Sequence, residues 1–254
     1  MMNITDRHEF ILKSLKEKGK ITIDWLCETM KVSSVTIRKD LKVLEDKNLL
    51  FRIKGGASNS NPYAIDRPIV VKESINSEEK QRIAQAAIKL IKDNDSIMIG
   101  SGTTVFTLAK NIESTHMLTV ITPALKVGLE LSGKPNIEVL QLGGLIRSNS
   151  SSVAGQYAIR ILDEISCGIL FLGADGIDLE FGISISNLPE ATLNQKMIET
   201  SQKIAILADS SKFGKRGLGK ICELIDVNYI ITDNKVSPNI VKAIEDLGIK
   251  IILA

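Results

Sequence analysis

From Ser96 onward, seven short apolar runs recur along this chain, and they restrict it to one broad class of fold. The runs are Ser96–Ile99, Leu118–Ile121, Ile137–Leu140, Ile169–Leu172, Ile204–Leu207, Tyr229–Thr232 and Ile249–Leu253. Helical candidates alternate with them at Thr103–Ile112, Ala124–Leu131, Tyr157–Ile165, Pro189–Ser201 and Pro238–Leu247. A strand that is apolar on both of its alternating faces has no side to offer water, so helices must cover it above and below. The pattern predicts an α/β/α layered domain around a largely parallel sheet. In such domains ligands sit beyond the carboxyl ends of the strands, so chemistry is to be sought in the loops that follow the runs.

Several of those loops carry groups suited to an anionic ligand. Gly100-Ser101-Gly102-Thr103-Thr104 stands between a predicted strand and a predicted helix. Glycine lets the backbone approach an anion, and a helix N-terminus adds free N–H groups at the positive end of its dipole. Ser101, Thr103 and Thr104 add hydroxyl donors, so a phosphate group is the expected occupant. A P-loop is excluded because no GK[ST] ending is present. A dinucleotide fingerprint is excluded because Val105 replaces its third glycine and Thr122 stands where an acid is needed. Further on, Gly143-Gly144 leads to Arg147, LGADGID contains Asp175 and Gly176, and ADSSKFG contains Asp209 and Lys212. Carboxylates accept from sugar hydroxyls, and Lys212 can neutralise a phosphate. The candidate ligand set is therefore Ser101, Gly102, Thr103, Thr104, Gly144, Arg147, Asp175, Gly176 and Lys212. Asp178 is expected only to close a turn.

The N-terminal part follows a different pattern. Ile23–Met30 and Val32–Leu44 read as two short helices joined at Lys31-Val32-Ser33, a helix-turn-helix whose second helix fits the DNA major groove. Val35, Ile37, Leu41 and Leu44 are expected to form its buried face. Ser33, Ser34, Thr36, Arg38, Lys39 and Lys42 are then left to meet phosphates and base edges. Leu49–Ala57 continues as a strand with Arg52 and Lys54 on one face, and Gly55-Gly56 permits a tight hairpin. That combination is a basic wing beside the recognition helix. Residues 1–57 carry 12 Lys/Arg against 8 Asp/Glu, whereas the remainder carries 20 against 22. The positive end suits double-stranded DNA, and no second nucleic-acid surface is expected.

A polar, turn-rich stretch, Ser58-Asn59-Ser60-Asn61-Pro62 followed by Pro68, marks a boundary. Residues 1–57 are read as the DNA-binding domain, 58–76 as a linker and 77–254 as the larger domain, which opens on the amphipathic run Ser77–Asp93. Hydrophobic content of 44% and charged content of 24% fit a soluble globular protein. MMNITDRHEF lacks the apolar core of a signal peptide, and no apolar run approaches bilayer length, so a cytoplasmic location without membrane contact is expected. Cys27, Cys167 and Cys222 are isolated, and His8 and His116 lie far apart, so no metal or other cofactor is expected.

Taken together and in order, these motifs resemble the DeoR family of bacterial transcriptional regulators over essentially the whole chain. The resemblance is carried by VSSVTIRKDLKVLE at Val32–Glu45, FRIKGGA at Phe51–Ala57, and Arg67, Asn76, Glu79, Lys80 and Ile83-Ala84. It continues through SGTT at Ser101–Thr104, Gly143-Gly144, GADGI at Gly173–Ile177, DSSKFG at Asp209–Gly214 and IITD at Ile230–Asp233. It implies a winged helix-turn-helix repressor domain and a sensor domain similar to the ribose-phosphate isomerase fold. It further implies a phosphorylated sugar or polyol effector, control of a carbohydrate-utilisation operon, and assembly as a homodimer or homotetramer. Four positions depart from the family pattern. Gly100 stands where an acid is common and Pro123 where Asn is common, while Lys39 and Lys54 replace arginine and histidine. The competing reading is a sugar-phosphate isomerase-like enzyme with Asp175, Asp178, Glu190, Lys196 and Lys212 as acid–base groups. Such isomerases carry a denser acidic motif and a glycine-rich lysine loop that are not intact here, so a regulator without a catalytic residue is expected.

Overall fold

The computed structural model describes residues 2–47, 49–53, 55–59, 68–91 and 96–254, in two compact units, Met1–Ile65 and Asp66–Ala254. Among the described residues, no helix is long and apolar enough to cross a membrane.

The smaller unit runs α1 (Ile4–Lys18), β1 (Lys20–Thr22), α2 (Ile23–Met30), α3 (Ser34–Asp46), β2 (Phe51–Ile53) and β3 (Gly56–Ser58). Each helix begins on a side-chain oxygen: Asn3 accepts from Asp6 N, Thr22 from Trp25 N and Ser33 from Thr36 N. Lys31, in the left-handed region at φ 52°, ends α2 and turns the chain sharply into α3. Ile11, Leu15, Leu26, Ile37, Leu41, Leu44 and Leu50 form the shared core. Val35 does not join them. It is 58% exposed, because it lies two residues from Ile37, on the other side of a helix whose buried stripe is Ile37, Leu41 and Leu44. The small sheet has the order β1-β3-β2. Gly56 allows β3 to lie against β1, since a Cβ there would stand 2.0 Å from the Ile21 carbonyl oxygen. Asp40, buried on α3, holds α1 through Arg7 (2.7 and 3.0 Å) and lies 3.3 Å from His8.

The larger unit opens with α4 (Ile69–Glu73) and α5 (Ser77–Ile88), then β4 (Ser96–Ile99), α6 (Thr103–Asn111), β5 (Leu118–Thr122), α7 (Leu125–Ser132) and β6 (Ile137–Gln141). A hairpin, β7 (Leu145–Arg147) and β8 (Ser152–Ala154), precedes α8 (Gln156–Leu162), β9 (Ile169–Gly173), β10 (Gly176–Asp178), β11 (Gly182–Ile185) and α9 (Leu188–Glu199). The chain closes with β12 (Ile204–Leu207), β13 (Gly219–Cys222), β14 (Tyr229–Thr232), α10 (Pro238–Glu245) and β15 (Lys250–Leu253). Seven strands form one parallel sheet in the order β15-β14-β12-β9-β4-β5-β6.

Successive strand residues enter opposite cores, as the apolar runs require. Ile97, Ile99 and Phe171 pack with α5, α6 and α7, while Met98, Leu170 and Leu172 pack with α8, α9 and α10. This is the expected α/β/α sandwich. Its strand order reverses between β4 and β9, the place where a doubly wound sheet opens a crevice at its carboxyl edge. Burial pushes the thiols of Cys167 and Cys222 up to about 11 and about 12, and Cys27 is half-buried.

The boundaries read from sequence shift in two places. Ser58 is still part of β3, paired with Lys20 and Phe51. Residues 69–76, read as linker, belong to the larger unit: α4 is fixed by Ile69 N donating to Asn149 O (2.7 Å) and by the Glu73–Lys126 ion pair (2.5 Å). Pro68 and the polar residues before it mislead here, because the helix that follows is one turn long and has no periodicity to show.

Candidate ligand site and nucleic-acid interface

The candidate site lies where two strand ends touch. Gly100–Thr103 leaves β4 and Gly173–Asp175 leaves β9, so close that a Cβ on Gly173 would lie 3.5 Å from Ser101 O. Gly102 takes φ 126°, which L side chains rarely adopt, and serves as the N-cap of α6. It offers no side-chain cap, so the first N–H groups of α6 are left for another acceptor. Thr103 and Thr104 are each 8% exposed beside that terminus. Gly100 also has a local explanation: the space a side chain would take is filled by Leu172 Cδ2, 2.6 Å from a built Cβ. Thr122, before Pro123, is committed internally, donating to Ile99 O (2.7 Å) and accepting from Ala124 N (3.1 Å).

Three lysines converge on this edge, two of them unforeseen. Lys80 on α5 is 5% exposed, and its ammonium donates to the backbone carbonyl of Lys72 (2.5 Å). Burial pushes the Lys80 amine below its ordinary 10.5; Lys212 and Lys72 push the same way, against Asp209 and Glu73. Lys72 on α4 pairs with Asp175 (2.9 Å). Asp175 Oδ2 also accepts from Ser186 N (3.0 Å) and Oγ (2.8 Å). Burial alone would raise the Asp175 carboxyl, but Lys72, Lys212 and Ser186 outweigh it and hold the group below its ordinary 3.8. Lys80 is the buried member of this group, whereas Lys72 and Lys212 are half-buried, and the ammonium charges are offset in part by Asp175, Asp209 and Glu73.

The segment carrying Lys72 and Lys80 crosses the strand ends in sheet order. Lys72 meets Asp175 after β9, Asn76 donates to Asp209 after β12 (3.0 Å), and Glu79 pairs with Lys235 after β14 (2.5 Å). Asn76, at φ 53°, makes no side-chain cap for α5. Its amide is spent on Asp209 instead.

The structure therefore brings Ser101, Gly102, Thr103, Thr104, Asp175 and Lys212 to one edge. Other residues of the candidate set have different surroundings. Arg147 is ion-paired with buried Glu190 (2.8 Å), whose carboxylate also accepts from Ser152 (2.8 Å). Gly144 lines an open groove of about 580 Å³ with Gly143, Leu145, Tyr157, Arg160 and Ile161, none of them part of the lysine edge. Gly176 lets two backbone segments meet, since a Cβ there would stand 2.3 Å from Lys215 O. Asp178 closes its own turn by accepting from Glu180 N and Phe181 N, as expected. Of the remaining groups cast as acid–base residues, Lys196 is tied to Asp163 and Glu199. Lys80 had a visible signal, a cation on the same helical stripe as Ile83, Ala84 and Ala87, whereas Lys72 had none.

On the smaller unit, α3 presents Arg38, Lys39 and Lys42 to solvent. Ser34 and Thr36 are half-buried, and the Ser33 and Thr36 hydroxyls bond each other at 3.0 Å. Arg52 is anchored to α3: its N–H donates to Glu45 (3.0 Å) and its guanidinium lies 3.6 Å from the same carboxylate. Lys54 lies outside the described residues.

Comparison with known proteins agrees with both units. A family model described as the DeoR C terminal sensor domain matches residues 75–234, and one described as a DeoR-like helix-turn-helix domain matches residues 7–62. The uncharacterized HTH-type transcriptional regulator YulB of Bacillus subtilis is 36% identical over 250 residues, covering 98% of this chain and 96% of that protein. The lactose phosphotransferase system repressor of Staphylococcus epidermidis is 33% identical over 236 residues, covering 92% and 93%. Among solved structures, ribose 5-phosphate isomerase A from Methanocaldococcus jannaschii aligns with 54% of this chain and 55% of that chain, at 19% identity and a TM-score of 0.41.

Proposed function

Because this chain belongs to the DeoR family of helix-turn-helix transcriptional regulators, we propose that it represses a carbohydrate-utilisation operon and leaves its operator when a phosphorylated sugar or polyol binds. The observation that carries the reading is the convergence of Lys72, Lys80 and Lys212 around Asp175 at the carboxyl edge of the sheet, the edge at which α6 also starts without a side-chain cap. The first-turn N–H groups of α6 and the Ser101, Thr103 and Thr104 hydroxyls would hold the phosphate, with Lys80 and Lys212 supplying charge and Lys72 engaged with Asp175. Asp175 would accept from a hydroxyl of the carbon chain. The name of the Staphylococcus epidermidis relative, a lactose phosphotransferase system repressor, supports a carbohydrate setting. Catalysis is disfavoured because the carboxylates at this edge are already engaged. Asp209 accepts from Ser211 N, and Asp233 from Ser210 N and Lys235 N. Groups so occupied position loops and are poorly placed to shuttle protons.

Calorimetry against a panel of sugar and polyol phosphates, paired with operator release, tests the reading. A phosphorylated compound is expected to bind and release DNA, and its unphosphorylated parent to do neither. Thr103→Val combined with Lys212→Ala should keep operator binding and lose the response. An unchanged response at the same ligand concentration would place the site elsewhere.

The protein is further proposed to act as a homodimer or homotetramer assembled through its larger unit. The hairpin and α8 expose Leu145 (81%), Ile146 (63%) and Tyr157 (72%) together, a concentration of apolar surface that suits association. Sedimentation of the full chain should show a dimer or larger species, and Leu145→Asp with Tyr157→Asp should shift it toward monomer. A wild-type protein that sediments as a monomer would refute the assignment.

A further inference from the structure

Packing does not account for Val35. Of the other apolar residues of α3, Ile37, Leu41 and Leu44 are at most 1% exposed and Val43, near the far end of the helix, is 38% exposed, whereas Val35, in the first turn, is 58% exposed and lies outside the core. Val35, Lys39, Lys42 and Asp46 recur at intervals of four, three and four, the stripe opposite that core. Lys39 and Lys42 are exposed along it, and exposed Arg38 stands beside it. In a helix-turn-helix, the outward residues near the start of the second helix approach the base edges. The sequence points to both hydroxyls and cations for that role, but of the hydroxyls Ser33 and Thr36 are engaged with each other and with the helix cap. The outward side chain at the tip of the helix is an isopropyl group.

We propose that Val35 is a specificity-determining residue that packs against the 5-methyl group of a thymine in the operator. The major-groove edges of guanine, adenine and cytosine present donors and acceptors, which an isopropyl group would strip of water without replacing a hydrogen bond. Thymine alone adds an apolar group there. Arg38, Lys39 and Lys42 complement the phosphates on either side and seat the helix, so the charge around Val35 selects the same partner as its chemistry. The inference does not depend on which ligand fills the sensor unit.

The probe is a duplex recovered by the full-length protein from a random pool, remade with uracil in place of thymine at one position at a time. Uracil keeps the pairing and removes only the methyl group. At one thymine position the exchange should weaken wild-type binding about fourfold for each contacted methyl. Val35→Ala should bind the thymine and uracil duplexes alike at that position and remain as sensitive as wild type elsewhere. Melting of the exposed-site variant should match wild type, which separates loss of a contact from loss of fold. A wild-type protein indifferent to every exchange overturns the proposal. So does a Val35→Ala variant that keeps the wild-type ratio.

Discussion

Lys80→Met should abolish effector binding while leaving effector-free operator affinity intact. The ammonium is buried on α5 and donates to Lys72 O, which leaves donors for a ligand. Removing one partner of a buried, hydrogen-bonded charge pair costs about 2–5 kcal/mol, so the phosphorylated ligand should lose at least about 30-fold in affinity. Stability should move the other way or hardly at all, because methionine fills the space without a charge to desolvate. The pH dependence gives an independent check. Burial holds the folded-state pKa of Lys80 below 10.5, so the unfolded chain binds more protons and stability rises as pH approaches 10.5. In Lys80→Met that contribution to the alkaline rise should vanish. Calorimetry with the ligand, operator titration and melting between neutral and alkaline pH measure the three effects. A variant that binds the phosphorylated ligand as wild type does would remove Lys80 from the site.

The layered sheet was legible because its cause is local and repeated. Ser96–Ile99, Ile204–Leu207 and Tyr229–Thr232 are strands with the bounds their apolar runs predict, since a strand buried on both faces must be apolar throughout. Ile23–Met30 was equally plain, with Thr22 as its cap. What escaped has little local signature. The strands β7, β8, β10 and β13 are three or four residues long, too short to show a periodicity, and β13 takes its place from β11, a partner distant in sequence. Val35 was misplaced because an apolar residue beside a buried stripe looks like part of it until the angle is counted. For the ligand edge, the Ser101–Thr104 loop was found because glycines and hydroxyls before a helix announce themselves. Lys72 and Lys80 were not assigned to it, because they come from a segment read as linker and from an amphipathic helix. Only the fold carries them across the strand ends.

Lys72→Met should weaken operator binding even when no effector is present. Residues 69–79 form a strap over the carboxyl edge of the sheet, held at Asn149, Asp175, Lys126, Asp209 and Lys235. In the chain it directly follows the segment leading from the DNA-binding unit. One of its anchors, Asp175, is also the carboxylate proposed to accept a ligand hydroxyl. Ligand and Lys72 then compete for one group, so a bound ligand favours the arrangement in which Lys72 is released. This supplies the unequal binding to two arrangements that any coupling requires. Lys72→Met imitates the released arrangement, so operator affinity without ligand should fall about 5- to 150-fold, the range of ordinary allosteric coupling. Ligand should bind this variant at least as tightly as wild type and change its operator affinity little. Asp175→Ala, by contrast, should lose the ligand as well as the anchor. Acid provides a further comparison. The Asp175 carboxyl is held below 3.8 in the folded protein, so its stabilisation is complete above that value and is lost as pH falls through its folded pKa. Lys72→Met should move that loss to higher pH. Operator titrations with and without ligand, and acid melting of both variants, decide the matter. If Lys72→Met shows wild-type operator affinity in both conditions, the strap does not carry the signal.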